Sequence, residues 1–144
     1  MPVRPNNLTP AHYRLLAEWR YALRRFLRFS ENAARAAGLT PQQHQAMLAI
    51  KGFPGRPGLT IGELAEYLQI RHHSAVGLAD RLVREQYARR IPDRGDRRRV
   101  HLALTARGEA VLARLTAAHR EQLRRVGPQM NRLLEMLRGD GPEG

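Results

Sequence analysis

The chain has 144 residues, a length that fits one domain of ordinary size with a single core. Its 25 basic residues outnumber 13 acidic ones, and the resulting net charge of +12 favours a polyanionic partner, with nucleic acid ahead of a membrane surface. Because cysteine is absent, disulfides, thiolate metal sites and thiol-based redox sensing are excluded. No apolar run is long enough to span a bilayer, and the N-terminus lacks the apolar core of a signal peptide. We therefore expect a cytoplasmic protein with no membrane partner.

Start signals predict two helices in the first third of the chain. Thr9 suits an N-cap and Pro10 the first helical position, and apolar residues then recur at helical spacing until about Gly38. The capping box at 40–43 (Thr-Pro-Gln-Gln) opens a second, shorter helix. Residues 52–58 are rich in glycine and proline, which predicts a loop.

A second capping box, at 60–63 (Thr-Ile-Gly-Glu), begins the central part of the chain. It predicts a short helix, a turn over residues 68–70 and another helix over residues 72–85. Helical spacing on that second helix separates a buried stripe from an open side. The buried stripe is Ala75, Leu78, Ala79 and Leu82, and the open side carries His73, Ser74, Gly77 and Arg81. This arrangement is typical of a helix-turn-helix.

An arginine-rich stretch follows at residues 89–99, where six arginines and two aspartates lie within eleven residues. Residues 100–104 then alternate in polarity, so two extended segments joined by a basic turn predict a β-hairpin arm. Such an arm can lie along or inside a groove of DNA. The alternative is a solvated loop that only maintains solubility. The spacing of Asp93 and Asp96 favours arginines that are held in place.

A further long helix is predicted after the hairpin, starting near Thr105. An apolar stripe continues from there until Pro128, which either kinks this helix or begins a separate one. Residues 139–144 predict a disordered tail.

The run of residues 64–108 resembles the MarR family of bacterial transcription regulators. The resemblance rests on ELAEYL at 63–68, ADRLV at 79–83, DRGDRR at 93–98 and LTARG at 104–108. It implies a mainly α-helical fold with a small β-hairpin wing, in which two protomers form a homodimer on a pseudo-palindromic DNA operator. Residues 1–144 would form a single domain, with dimerisation helices at 9–38 and 106–138 and a winged helix-turn-helix lobe at 40–104.

The resemblance also implies the residues that contact double-stranded DNA. In this family the second helix of the motif enters the major groove and a wing arginine enters the flanking minor groove. When these roles are transferred to this chain, Arg98 is the residue that inserts and Asp96 orients it. The alternative is that the two side chains only form an ion pair on the surface. The remaining wing arginines are expected to touch phosphates. The predicted DNA-binding set is Arg71, His72, His73, Ser74, Gly77, Arg81, Arg94, Asp96, Arg97, Arg98 and Arg99.

The adjacent histidines His72 and His73 raise the question of a metal site. Neighbouring residues on a helix point about 100° apart, and there is no cysteine to complete a zinc site. We therefore expect these two histidines to contact phosphates or bases, and we expect no metal or cofactor. The scattered histidines are predicted to be ordinary surface or interface residues, namely His12, His44, His101 and His119.

Aromatic residues cluster in the first predicted helix: Tyr13, Trp19, Tyr21, Phe26 and Phe29. Members of the MarR family bind small aromatic or phenolic acids in a cleft, and an arginine-lined aromatic cleft would suit such an anion. The resemblance thus makes Tyr13, Trp19 and Arg20 candidate contacts for an effector. The alternative is that these aromatic residues only form the dimer core.

Three features depart from the family's pattern. Arg71 stands where a small capping residue is usual, which predicts an uncapped or shifted recognition helix. Gln86 occupies the usual glycine position after that helix, where a left-handed backbone is common. The long loop at residues 52–58 is expected to alter the strand that normally precedes the motif.

A strongly basic chain with these motifs is compatible with three classes of function. A sequence-specific transcription regulator, in this family most often a repressor, explains both the charge and the motifs. A non-specific architectural DNA-binding protein would need the charge but no particular recognition helix. An enzyme, such as a nuclease, is disfavoured because the acidic residues are dispersed and do not form a metal-binding carboxylate cluster.

Overall fold

A computed structural model describes residues 7–53 and 58–139 of the chain. Within them lie helices α1 (Pro10–Ala36), α2 (Pro41–Gly52), α3 (Ile61–Leu68), α4 (His72–Arg84) and α5 (Ala106–Leu137), and strands β1 (Leu59–Thr60), β2 (Ala88–Pro92) and β3 (Val100–Leu104). This mainly helical architecture with a small antiparallel sheet confirms the predicted fold class. Most of the predicted loop at 52–58 and of the predicted tail at 139–144 lies outside the described residues. None of the described helices is long and apolar enough to cross a membrane.

The chain divides into two compact units. Residues 31–117 form the larger unit, which contains the predicted lobe of residues 40–104, and residues 1–30 with 118–144 form the smaller one. In the smaller unit, Leu15 and Leu133 are buried. The His119 ring there packs edge-on against Phe26 and Phe29, and its Nε2 lies 2.8 Å from the Ser30 hydroxyl.

Both predicted capping boxes are confirmed. The Thr40 hydroxyl accepts a hydrogen bond from the Gln43 backbone N–H at 3.1 Å, and the Gln43 side-chain oxygen accepts one from the Thr40 N–H at 2.9 Å. The same pair of bonds joins Thr60 and Glu63. These hydrogen bonds hold the pKa of the Glu63 carboxyl below its usual range. Both helices therefore begin at the predicted residues because their first N–H groups have local acceptors.

The sheet has three strands in the order β1-β3-β2, so the strand after the basic turn is the central one. The predicted hairpin is β2 with β3, and β1 adds the pairs Leu59↔Leu102 and Thr60↔His101. Gly58 comes so close to β3 that a Cβ atom there would lie 2.4 Å from the Leu102 carbonyl oxygen. The strand that precedes the helix-turn-helix has only two residues. Because Gly58 has no side chain, the chain can pack directly against β3 where this strand begins.

The core of the larger unit gathers apolar side chains from its helices and from the sheet. Its largest fully buried apolar residues are Met47, Leu59, Leu64, Leu82 and Leu102. Because these residues come from α2, β1, α3, α4 and β3, burial of one shared core fixes the helix-turn-helix against the sheet.

Helix α5 begins at a tightly packed junction with the end of α4. The Thr105 hydroxyl donates to the Gln86 carbonyl oxygen at 2.7 Å and accepts from the Gly108 N–H at 3.1 Å, and the Thr105 N–H donates to the Tyr87 carbonyl oxygen. A Cβ atom at Gly108 would lie 2.1 Å from that Tyr87 oxygen. Thr105 and Gly108 therefore hold the junction together, which gives a physical reason for threonine and glycine in the LTARG motif at 104–108.

Pro128 lies inside α5, which continues without a break to Leu137. The alternative that Pro128 begins a separate helix is therefore wrong. A proline removes one helical N–H donor, and the turns on either side supply the remaining hydrogen bonds of a helix of 32 residues.

Candidate nucleic-acid interface

Helix α4 is the predicted recognition helix. The chain enters it after Gln69, whose left-handed φ of 54° makes the turn of the helix-turn-helix. Arg71 occupies the N-cap without a side-chain hydrogen bond, as its unusual residue type predicts. Ala75, Ala79 and Leu82 are buried and Leu78 is half-buried, which confirms the predicted inward stripe.

The opposite side of α4 is open to solvent. All of its predicted DNA-contacting residues are exposed, namely Arg71, His72, His73, Ser74, Gly77 and Arg81. Val76, which the sequence alone did not single out, is exposed there too. A Cβ atom at Gly77 would meet no atom within 4 Å, so nothing inside the described chain requires glycine at this position.

A polar contact fixes the far end of α4. Gln43, almost wholly buried, donates from Nε2 to Glu85 at 2.6 Å, and Glu85 accepts a longer bond from Arg81 at 3.4 Å. The hydrogen bond from Gln43, followed by the contact with Arg81, lowers the pKa of the Glu85 carboxyl. Gln86 follows with a φ of 65°, the left-handed backbone expected at a position where glycine is usual. Sequence reasoning found Gln43 only as a capping residue, because its second partner lies 42 residues away.

The wing tip, defined here as residues 93–99, is folded by its two aspartates. Asp93 Oδ2 accepts hydrogen bonds from the backbone N–H groups of Gly95 at 3.0 Å and Asp96 at 2.8 Å. Asp96 Oδ1 accepts one from the backbone N–H of Arg98 at 2.9 Å. The aspartates thus fix the backbone that carries the arginines. This hydrogen bond joins Asp96 to the main chain of Arg98 and not to its guanidinium.

Five of the six arginines in residues 89–99 fall into two groups, and the sixth, Arg89, is exposed on β2. Arg90, on β2, forms an ion pair with Asp80 of α4 and so ties the sheet to the recognition helix. Arg94, Arg97, Arg98 and Arg99 at the wing tip are all exposed. Among residues 7–53 and 58–139, no carboxylate forms an ion pair with these four side chains. Their charges are therefore available to an external anion.

The prediction that His44 and His101 are ordinary surface or interface residues is wrong, because both are buried inside the larger unit. His101 lies in the central strand, with its Nε2 2.7 Å from Asp93 Oδ1 and its Nδ1 3.0 Å from the Gly58 carbonyl oxygen. The bond to Asp93 raises the pKa of His101, the Gly58 carbonyl adds to this, and burial opposes it. The His101 bond and the two backbone N–H groups lower the pKa of Asp93. Alternation in the run at 100–104 puts His101 on the opposite face of β3 from Leu102 and Leu104, so the sequence carried no signal that this ring is buried.

The candidate effector residues all lie in the smaller unit. Tyr13 and Arg20 are exposed and Trp19 is half-buried. In the larger unit, a cavity of about 350 Å³ lies between α2 and α3, and the rings of Phe53 and Tyr67 stack at 3.6 Å beside it. None of the candidate effector residues lines this cavity.

Within the described part of the chain, no group of three or more histidine and carboxylate side chains is arranged to hold a metal ion. His72 and His73 are both exposed on α4.

A comparison with protein families identifies this arrangement of helices and wing. The model of the MarR family matches residues 37–99, which run from the end of α1 to the wing tip. Over the segment that carries the helix-turn-helix and the wing tip, the chain is thus similar to the MarR family. The transcriptional activatory protein BadR of Rhodopseudomonas palustris is 33% identical over 79 residues, which are 55% of this chain and 45% of BadR. The match thus spans less than half of that relative.

Solved structures share this fold over most of the chain. A probable transcriptional regulator from Pseudomonas aeruginosa is 26% identical, with a TM-score of 0.64 and coverage of 83% of this chain and 88% of its own. The MepR–DNA complex of S. aureus has a TM-score of 0.64 at 19% identity and 85% coverage of each chain. NadR in complex with 4-hydroxyphenylacetate has a TM-score of 0.67 at 22% identity, covering 97% and 94%.

Proposed function

We propose that this protein is a sequence-specific regulator of transcription of the MarR family that binds double-stranded DNA. The observation that carries the proposal is that one compact unit presents two solvent-exposed surfaces, the outer face of α4 and the arginines of the wing tip. A helix of this kind fits the major groove, whose base edges distinguish all four base pairs. The basic tip would follow the flanking minor groove.

Specificity and general affinity are assigned to different residues in this proposal. Arg98 inserts into the minor groove, where narrow A·T-rich DNA concentrates negative potential. Arg94, Arg97 and Arg99 contact phosphates, which sets affinity and salt dependence with little effect on sequence preference. On α4, the leading residues 71–74 with Gly77 and Arg81 face the major groove.

Two copies of the chain are proposed to bind one pseudo-palindromic operator. The smaller unit supports this, because many of its large apolar side chains are exposed: Leu8, Tyr13, Leu16, Tyr21, Leu27, Leu123, Leu134 and Met136. So large an apolar surface is typical of an interface. The two recognition helices would then meet half-sites about one helical turn apart. Sedimentation equilibrium tests the dimer, and a monomer that binds the full operator tightly would contradict it.

We further propose that the protein acts as a repressor that a small aromatic or phenolic anion releases from DNA. NadR was solved with such an anion, 4-hydroxyphenylacetate, and Tyr13, Trp19 and Arg20 supply aromatic and cationic groups for one here. The anion would favour a spacing of the two lobes that fits the operator less well. A reporter gene under the operator tests the direction of regulation, since BadR is named as an activatory protein.

The competing candidate is an architectural protein that coats DNA without sequence preference. Both candidates use the net charge of +12, but only the specific regulator uses the chemistry of α4. Mapping the sites that the tagged protein occupies across its own genome separates the two. A few sharp sites that share an inverted repeat support the regulator, and broad occupancy without a motif supports the architectural protein.

Gly77→Ala is expected to stabilise the protein and to weaken its binding to the operator. In an exposed helix alanine is more stable than glycine by roughly 0.5–1 kcal/mol, and here it meets no other atom. On the DNA side, the added methyl group would hold the helix backbone away from the bases. Urea denaturation and operator titration measure the two effects. A stabilised variant with unchanged operator affinity would show that the DNA does not approach closely at Gly77.

A further inference from the structure

His101 is a strongly buried side chain that connects the wing tip to the strand before the helix-turn-helix. It sits on β3, the central strand, opposite Thr60 of β1 and Ile91 of β2. Its side chain is 7% exposed, and that of its partner Asp93 is 21% exposed. The contacts of this ring therefore form in a partly dry environment, where charge-assisted hydrogen bonds are strong.

Both ring nitrogens of His101 face atoms that can only accept a hydrogen bond. Nδ1 lies 3.0 Å from a backbone carbonyl oxygen, that of Gly58, and Nε2 lies 2.7 Å from a carboxylate oxygen, that of Asp93. A neutral imidazole has one N–H and can satisfy only one of these acceptors, whereas the imidazolium donates to both. The geometry is therefore complete only when the ring carries two protons. Asp93 stays ionised, because two backbone N–H groups donate to its other oxygen.

A short series of hydrogen bonds leads from this ring to the proposed inserting arginine. Asp93 is bonded to His101 through Oδ1 and to the Asp96 N–H through Oδ2, and Asp96 is bonded to the backbone N–H of Arg98. On the other side, Gly58 directly precedes β1, and β1 leads into α3. The state of one buried ring can thus affect both the wing tip and the start of the helix-turn-helix.

We propose that doubly protonated His101 is a positioning residue for DNA binding, which fixes the wing tip that carries Arg98 and makes affinity for the operator fall as the solution becomes alkaline. This inference rests on the proposed function. When the ring loses a proton, either Asp93 or the Gly58 carbonyl loses its hydrogen-bond donor. The wing tip is then less firmly fixed, so ordering Arg98 on the DNA costs more conformational entropy.

The charged groups around the ring agree with this direction of effect. Asp93 favours the imidazolium and Arg99 opposes it, while Glu63 of α3 is a second carboxylate within electrostatic range. Since the folded protein raises the pKa of His101, its stabilising contribution is complete below the pKa of the unfolded chain and is lost as pH rises through the folded value. Asp93 limits this stabilisation on the acidic side. Because the folded protein lowers the pKa of Asp93, the stability that its ionised form contributes is lost as pH falls through that lowered pKa.

Operator affinity measured by fluorescence anisotropy between pH 6 and pH 9 tests the proposal. The wild-type protein is expected to lose on the order of fivefold in affinity across the raised pKa of His101, the low end of ordinary coupling between two sites. His101→Gln, which cannot donate on both sides, should bind at all pH values like the alkaline wild type. Asp93→Asn should also flatten the profile. His72→Gln/His73→Gln, which changes the two histidines proposed to face DNA, should bind more weakly and retain the fall.

Nitrogen chemical shifts of the imidazole provide a readout that does not depend on DNA. They should show both His101 nitrogens protonated at neutral pH in the wild type, with a lower pKa in Asp93→Asn. Equal pH slopes for the wild type and His101→Gln, or a neutral ring at pH 6.5, would overturn the inference. If the wild type does not discriminate the operator from scrambled DNA at any pH, the proposed function fails instead, and the nitrogen shifts still decide the protonation state.

Discussion

Arg98→Ala is expected to lower affinity for the operator by about fivefold to about 150-fold, corresponding to roughly 1–3 kcal/mol. The side chain is exposed at the wing tip, and Asp96 fixes its backbone. Binding therefore costs little further backbone entropy when the Arg98 guanidinium enters the minor groove. Removing the guanidinium should reduce sequence preference as well as affinity. Because the proposed homodimer has two wings, the substitution acts at both half-sites.

Arg97→Ala is the matched control, since it removes the same charge from the neighbouring position. It should weaken binding to operator and scrambled duplexes alike and reduce the salt dependence by about one phosphate contact per wing. Fluorescence anisotropy with both duplexes at several salt concentrations separates the two effects. If Arg98→Ala left operator affinity unchanged while Arg97→Ala abolished it, the inserting residue would be Arg97.

Gly108→Ala is expected to destabilise the fold by about 1–3 kcal/mol, the usual cost of forcing extra atoms into a packed site. The added Cβ would lie 2.1 Å from the Tyr87 carbonyl oxygen and 3.1 Å from its carbon. Since the obstacle is backbone, it cannot rotate away as a flexible side chain would. Either α5 moves outward or the hydrogen bonds of Thr105 to Gln86 and Tyr87 are broken.

Urea denaturation followed by circular dichroism measures this change in the free energy of unfolding. Gly77→Ala is the matched control, because it makes the same change in a helix where the new methyl group meets nothing. The two variants should move the unfolding midpoint in opposite directions. An unchanged midpoint for Gly108→Ala would mean that the junction between Tyr87 and α5 yields easily and that glycine is not needed there.

Local signals in the sequence predicted most of the helical architecture. Each capping box depends on residues three positions apart, so Thr40 and Thr60 could be identified as helix starts without knowledge of the fold. The inward stripe of α4 was predicted for the same reason, because helical periodicity is a property of neighbouring residues. The basic turn between β2 and β3 was recognisable by its composition.

Contacts between residues far apart in the chain could not be predicted from the sequence. β1 has two residues and no periodicity to detect, and it is a strand only because β3 lies beside it. In the sequence His101 is indistinguishable from other polar residues. Its role depends on the fold, which places Asp93 and the Gly58 carbonyl next to its two ring nitrogens. Gln43 was visible as a cap, but its bond to Glu85 depends on how α2 packs against the end of α4.

The sequence by itself determined the helix starts, the amphipathic faces, the basic turn and the resemblance to the MarR family, because these depend on residue type and short spacing. Tertiary structure alone decided which arginines are engaged and which are available. Arg90 is paired because α4 places Asp80 beside it, whereas the wing-tip aspartates bond to backbone N–H groups. It also decided the environment of His101, since burial and the direction of two acceptors are properties of the folded chain.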